Sequence, residues 1–131
     1  MLRVIVLCAV AAVAWGCTTS MGDEPAEQST NLEISVWRAG SDGPVHLWTL
    51  RCPDGGSLPN PAEACERLAD LGDEAFAPVP DGVGCTQIYG GPQVAEVRGT
   101  FEGEKVLARY NRTNGCEIAR WDRVAFLFPT R

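Results

Sequence analysis

The placement of six cysteines constrains this 131-residue chain more than any other feature. Cys8 lies inside an N-terminal apolar run and Cys17 sits just past that run, while Cys52, Cys65, Cys85 and Cys116 fall in the part able to fold. An exported chain discards the first, and four cysteines within one small acidic domain read as two disulfides. Spacing alone leaves three connectivities open. Cross-links at that density suit a domain whose own core is modest.

Arg3 precedes twelve almost wholly apolar residues, 4–15, too few to span a bilayer as a helix but right for a signal peptide over residues 1–16. Ala12 and Ala14 permit ordinary cleavage, whereas Ala14-Trp15-Gly16-Cys17 resembles a bacterial lipobox. Ordinary cleavage leaves Cys17 as a spare thiol in an oxidising compartment; lipoprotein processing turns it into a lipidated N-terminus. The sequence is therefore read as an exported lipoprotein, held to the outer face of the cell membrane through Cys17, with soluble secretion as the alternative. Residues 17–31 read as a tether: Met21 is its one large apolar side chain, so the segment cannot bury a core. A flexible stretch of that length spans roughly 20 Å.

Without the first sixteen residues, ten basic side chains face seventeen acidic ones, a net charge of −7 that argues against nucleic acid as a partner. Residues 32–131 suffice for one domain. The single histidine, His46, sits between Val45 and Leu47 on a strand pattern with no nucleophile motif nearby, which argues against an enzyme. No C-x-x-C or paired-histidine spacing points to zinc, and Asp70, Asp73 and Glu74 lack a glycine-centred calcium loop, so neither metal nor cofactor is expected. Trp37, Trp48 and Trp121 are assigned to packing rather than to a sugar platform.

Leu32-Glu33-Ile34-Ser35-Val36 alternates apolar and polar residues, and the stretch 45–51 continues with Val45, Leu47 and Thr49 on one face against His46, Trp48 and Leu50 on the other, with Ala39-Gly40-Ser41-Asp42-Gly43-Pro44 between them as a turn. Two strands joined as a hairpin follow. Asn60-Pro61-Ala62-Glu63 combines a capping residue, proline at the first helical position and glutamate three after the cap, predicting a helix over residues 61–71 that leaves through Gly72. Residues 93–101 and 105–111 are rich in strand formers and predict a second hairpin around Glu102-Gly103-Glu104. Asn114-Gly115 reads as a type I′ turn, residues 118–123 as a helical turn, and residues 124–128 as a short terminal strand. The fold class is α+β: an antiparallel sheet packed with one main helix and a short second one.

Four stretches carry a resemblance to a known family: Leu50-Arg51-Cys52-Pro53, Pro59-Asn60-Pro61 through Ala64-Cys65, Cys85-Thr86-Gln87-Ile88-Tyr89-Gly90-Gly91-Pro92, and Asn114-Gly115-Cys116-Glu117. With them, residues 32–128 resemble the subtilisin inhibitor-like family of actinobacterial serine protease inhibitors. The resemblance implies the pairs Cys52–Cys65 and Cys85–Cys116, and an exposed binding loop of Gly84, Cys85, Thr86, Tyr89 and Gly90 around a bait bond, Gln87–Ile88. It implies that Asn114 supports the loop from behind, that the partner is a subtilisin-like or trypsin/chymotrypsin-like serine protease, and that two copies pair through the sheet.

The chain departs from the family pattern at three places. Gln87 is neither basic nor large and apolar, which leaves the target protease open. Gly84 lacks the apolar side chain that subtilisin-like clefts often accept there, and Ser57-Leu58-Pro59 stands where many relatives resemble Thr-His-Pro. The rival reading is an envelope module that keeps the scaffold, inhibits nothing and binds another protein.

Overall fold

Alternation along four strands builds the sheet, because every second residue must face the same side. The computed structural model describes residues 29–130. The signal peptide, Cys17 and most of the tether lie outside them. The elements are β1 (Asn31–Trp37), β2 (Val45–Arg51), β3 (Gly55–Gly56), α1 (Pro61–Leu71), β4 (Val94–Phe101), β5 (Glu104–Asn111) and α2 (Gly115–Arg123). They form one antiparallel sheet of order β3-β2-β1-β4-β5, with both helices and two 3-10 turns, Gly72–Ala75 and Ala125–Leu127, completing an α+β fold.

Register follows the apolar pattern. Ile34 stands opposite Trp48 on one side and Val97 on the other, and Val97 stands opposite Ala108. Leu32, Ile34, Val36, Leu50, Val97 and Tyr110 therefore share the buried face, against which Leu58, Leu68, Val124 and Leu127 pack. The opposite face carries Glu33, Arg98, Glu96 and Arg109, joined by ion pairs from Arg98 to Glu33 at 2.7 Å and from Arg109 to Glu96 at 3.7 Å. Such exposed pairs add well under 1 kcal/mol each. They nonetheless keep a solvated sheet face from carrying one sign of charge.

The second hairpin closes through two residues, Glu102 and Gly103, both with positive φ, as the twist-matched primed turns require. In place of a histidine, Leu58 fills core space, and Ser57 accepts the Thr49 N–H through its Oγ at 2.9 Å. The Tyr110 hydroxyl donates to the Ala75 carbonyl at 2.6 Å, which satisfies a phenol sealed in the core. Burial pushes its pKa up to about 12, against the opposing pull of Arg120 and Arg123.

The disulfides join Cys52 to Cys65 and Cys85 to Cys116, with Cα separations of 5.6 and 5.4 Å. The first ties the end of β2 to α1. The second ties the segment before β4 to α2.

Three local expectations are corrected. Residues 124–128 form no strand: Val124, Leu127 and Phe128 face the core at helical spacing, and the backbone turns as a 3-10 helix. Asn60 precedes α1 without a side-chain capping bond, its φ of −130° and ψ of 70° pointing it elsewhere; proline at the first turn removes one N–H from the need. Asn114-Gly115 is no type I′ turn, because Asn114 is extended and its Oδ1 accepts the Glu117 N–H at 3.0 Å, which starts α2 three residues before the expected helical turn.

Candidate functional site

Residues 77–93 connect the first 3-10 turn to β4 without any helix or strand. A segment this long, rich in proline and glycine, has few backbone bonds of its own, so its shape depends on what holds it from outside. Nearly all of that support comes from α2 and the residues leading into it.

Four attachments run in chain order. Arg120 donates from Nε to the Ala77 carbonyl at 2.8 Å, fixing the entry; the same guanidinium bonds Glu117 at 2.8 Å and the Arg109 carbonyl at 3.1 Å. Cys85 is bonded to Cys116 in the first turn of α2. The Gly115 N–H donates to the Thr86 carbonyl at 2.9 Å. Finally the Gly90 N–H donates to the Arg112 carbonyl at 2.7 Å, and Arg112 Nε donates back to the Gly90 carbonyl at 3.2 Å.

Two glycines permit these contacts. A Cβ on Gly115 would collide with Thr86 Oγ1, and one on Gly90 would lie 2.8 Å from Ile118 Cδ1 and 3.1 Å from Arg112 Cβ. Neither position is set by backbone handedness; the constraint is the closeness of two surfaces.

Between the attachments at Thr86 and Gly90, the chain stands free. Gln87 is exposed, its Nε2 lying 3.3 Å from the Cys85 carbonyl that it bonds. Ile88 and Tyr89 are 59% and 66% exposed, two large apolar side chains offered to solvent in succession. Isolated apolar residues on a surface are ordinary, but an adjacent pair on a braced, exposed segment has the character of a contact surface.

The expected loop residues Gly84, Cys85, Thr86, Gln87, Ile88, Tyr89 and Gly90 thus lie on one projecting segment. Asn114 lies behind it, with its Oδ1 engaged in capping α2; the bond from this turn to the loop comes from the neighbouring Gly115 N–H. Sequence reasoning missed Arg112 and Arg120. Arg112 also pairs with Asp122 at 3.0 Å and lies 5.8 Å from the centre of the Trp121 ring. Nothing in the triplet Asn111-Arg112-Thr113 announces that role, since it depends on where the loop returns. Among the described residues no group of three or more His, Cys, Asp or Glu side chains could hold a metal ion.

No protein-family model matches the chain. It is 34% identical over 96 residues to Subtilisin inhibitor-like protein 1 of Streptomyces cacaoi, an alignment that covers 69% of this chain and 86% of that protein. By that similarity, spanning most of both chains, this protein belongs to the subtilisin inhibitor-like family.

Proposed function

We infer that this protein is a serine endopeptidase inhibitor that offers the Gln87–Ile88 bond to its target as a rigid imitation of substrate. The observation that carries this reading is the exposed stretch 87–89, held by a disulfide and a backbone bond before it and by paired Gly90–Arg112 bonds after it. The relative from Streptomyces cacaoi, a subtilisin inhibitor-like protein, supports the same class of activity. An inhibitor of this kind needs no catalytic group of its own.

The mechanism is one of stiffness. A free peptide loses roughly 1 to 2 kcal/mol of backbone entropy for each residue ordered on docking; a strand already fixed loses far less and binds correspondingly tighter. Gln87 enters the primary specificity pocket, Thr86, Cys85 and Gly84 line the N-terminal side of the cleft, and Ile88 and Tyr89 fill the other. Cleavage does not release the ends, so religation competes with hydrolysis.

The same proposal covers placement and assembly. Cys17 carries a lipid, residues 18–28 hold the domain clear of the membrane, the fold itself beginning at Ser29, Thr30 and Asn31, which bond to it, and two copies pair through the outer sheet face. There Leu47 and Leu107 are 70% and 72% exposed, the most exposed large apolar side chains of that face among the described residues.

Progressive inhibition assays with subtilisin, trypsin and chymotrypsin test the function, run beside Gln87→Pro. The wild type should inhibit at least one of the three, and the variant should lose that inhibition. A wild type inert against every protease refutes the reading and leaves a scaffold that binds something else.

A further inference from the structure

Resting on that inhibitory reading, we propose that Arg112 is the positioning residue that keeps the cleaved bait religating instead of being digested. The two sides of the Gln87–Ile88 bond are secured by different means. On the N-terminal side, Cys85 is covalently bound to Cys116 and the Thr86 carbonyl is bonded to Gly115, so the last anchor is one residue from the bond. On the C-terminal side the first anchor is Gly90, and both of its backbone polar groups are held by one residue, Arg112.

That asymmetry matters at the acyl-enzyme. The protease serine adds to the Gln87 carbonyl, the C–N bond to Ile88 breaks, and the departing Ile88 nitrogen takes up a proton to become an amine. Religation is the reverse: the amine attacks the ester carbonyl, the peptide bond re-forms, and the serine oxygen leaves with a proton. Hydrolysis places water where the amine should be. The acyl half is tethered by the disulfide and the ester whatever happens, so the contest turns on how closely the Ile88 amine is kept in place.

Arg112 is built for that task. Its Nε bonds the Gly90 carbonyl at 3.2 Å while Nη1 bonds Asp122 at 3.0 Å, so the planar fork spans from the loop to α2. The Cβ of Arg112 and the side chain of Ile118 close against Gly90 from behind, leaving no room for a side chain there. Because Cys116 and Asp122 both belong to α2, one helix holds the two new chain ends at a constant separation. Asp122 is 61% exposed and Arg112 22% exposed, so the pair draws its value from geometry more than from charge.

The experiment uses the whole mature protein and whichever protease of the subtilisin, trypsin and chymotrypsin panel it inhibits. Turnover at Gln87–Ile88 is followed by intact mass, as the gain of one water and a new N-terminus at Ile88 in two chains joined by Cys85–Cys116. Arg112→Ala and Arg112→Lys should both be cleaved about tenfold faster or more, since lysine keeps the charge but cannot hold Gly90 and Asp122 together. Their melting temperatures should remain within a few degrees of the wild type, and Asp122→Asn should raise turnover several-fold with no stability loss. A merely structural role would lower the melting temperature and leave cleavage per bound complex unchanged. Arg112→Ala that inhibits and is cleaved at the wild-type rate overturns the proposal alone. A wild type that neither inhibits any of the proteases nor is cut at Gln87–Ile88 overturns the inhibitory reading and this one with it.

Discussion

Replacing Gly115 by alanine separates the stability of the domain from the stiffness of its loop. As the first residue of α2, and without a positive φ, Gly115 can take a side chain as far as the backbone is concerned. Alanine gains up to about 1 kcal/mol of helix propensity. Its Cβ, however, would strike Thr86 Oγ1 and lie 3.3 Å from Thr86 Cβ, so Thr86 must retreat and its carbonyl loses the Gly115 N–H, a bond worth about 1 kcal/mol. These two terms nearly cancel in the folding free energy, and the melting temperature should move by less than about 8 °C. Binding is different. Freeing Thr86 and Gln87 restores about 1 to 2 kcal/mol of backbone entropy per residue that docking must then remove, a penalty of about 2 to 4 kcal/mol, or roughly 30- to 1,000-fold in inhibition constant. Thermal melts and inhibition constants against the protease that the wild type binds best check both halves. The second substitution Thr86→Ala removes the colliding oxygen and should recover most of the lost affinity. Gly115→Ala that inhibits within threefold of the wild type would refute the argument, as would a double variant no better than the single one.

Four further outcomes are expected. Gly84 has open space where a Cβ would sit and no positive φ, so Gly84→Leu should fold normally and bind subtilisin about 10- to 200-fold tighter by filling the apolar subsite; unchanged affinity contradicts the assigned register. Removing Cys52–Cys65 as a double alanine variant should cost about 3 kcal/mol and spare inhibition, whereas removing Cys85–Cys116, which closes the longer loop, should cost about 4 kcal/mol and abolish it; denaturant titration and inhibition assays read the two effects. The Tyr110 phenol, held up to about 12, keeps its proton in the folded domain while the unfolded chain releases its own near pH 10, so stability is intact below pH 10 and falls by about 2 to 3 kcal/mol as pH rises towards 12; alkaline melts of Tyr110→Phe should lack that fall. The native protein, weighed intact, should carry a diacylglyceryl increment on Cys17, and a mature chain beginning at Trp15 would exclude the anchor.

Local patterns made much of the fold legible. Period-two alternation located β1 and β2 and strand-former enrichment located β4 and β5, because their side chains must choose one of two faces; proline, glutamate and the exit glycine bounded α1 at its observed ends. The terminal run Val124-Ala125-Phe126-Leu127-Phe128 misled because a short apolar stretch satisfies both periods, and only the packing of Val124, Leu127 and Phe128 decides between them. Asn114-Gly115 misled as well: it reads as a hairpin turn, whereas in the fold Asn114 is extended and caps α2 through the Glu117 N–H. The stretch 84–90 that the resemblance marks does lie outside any helix or strand, whereas nothing in the sequence marks its braces. Arg112 and Arg120 act on backbone carbonyls 22 and 43 residues earlier, and a carbonyl leaves no mark on the sequence.

The sheet order has a consequence for how the molecule comes into being. β1 is the first strand in the chain yet the middle strand of five, so it finds β2 as soon as the latter is made but keeps an open edge until β4 arrives. The helix that splints residues 77–90 comes later still. A chain emerging N-terminus first therefore closes both edges of β1 before residues 85–90 are braced, because their disulfide and backbone supports exist only once Cys116 has followed them.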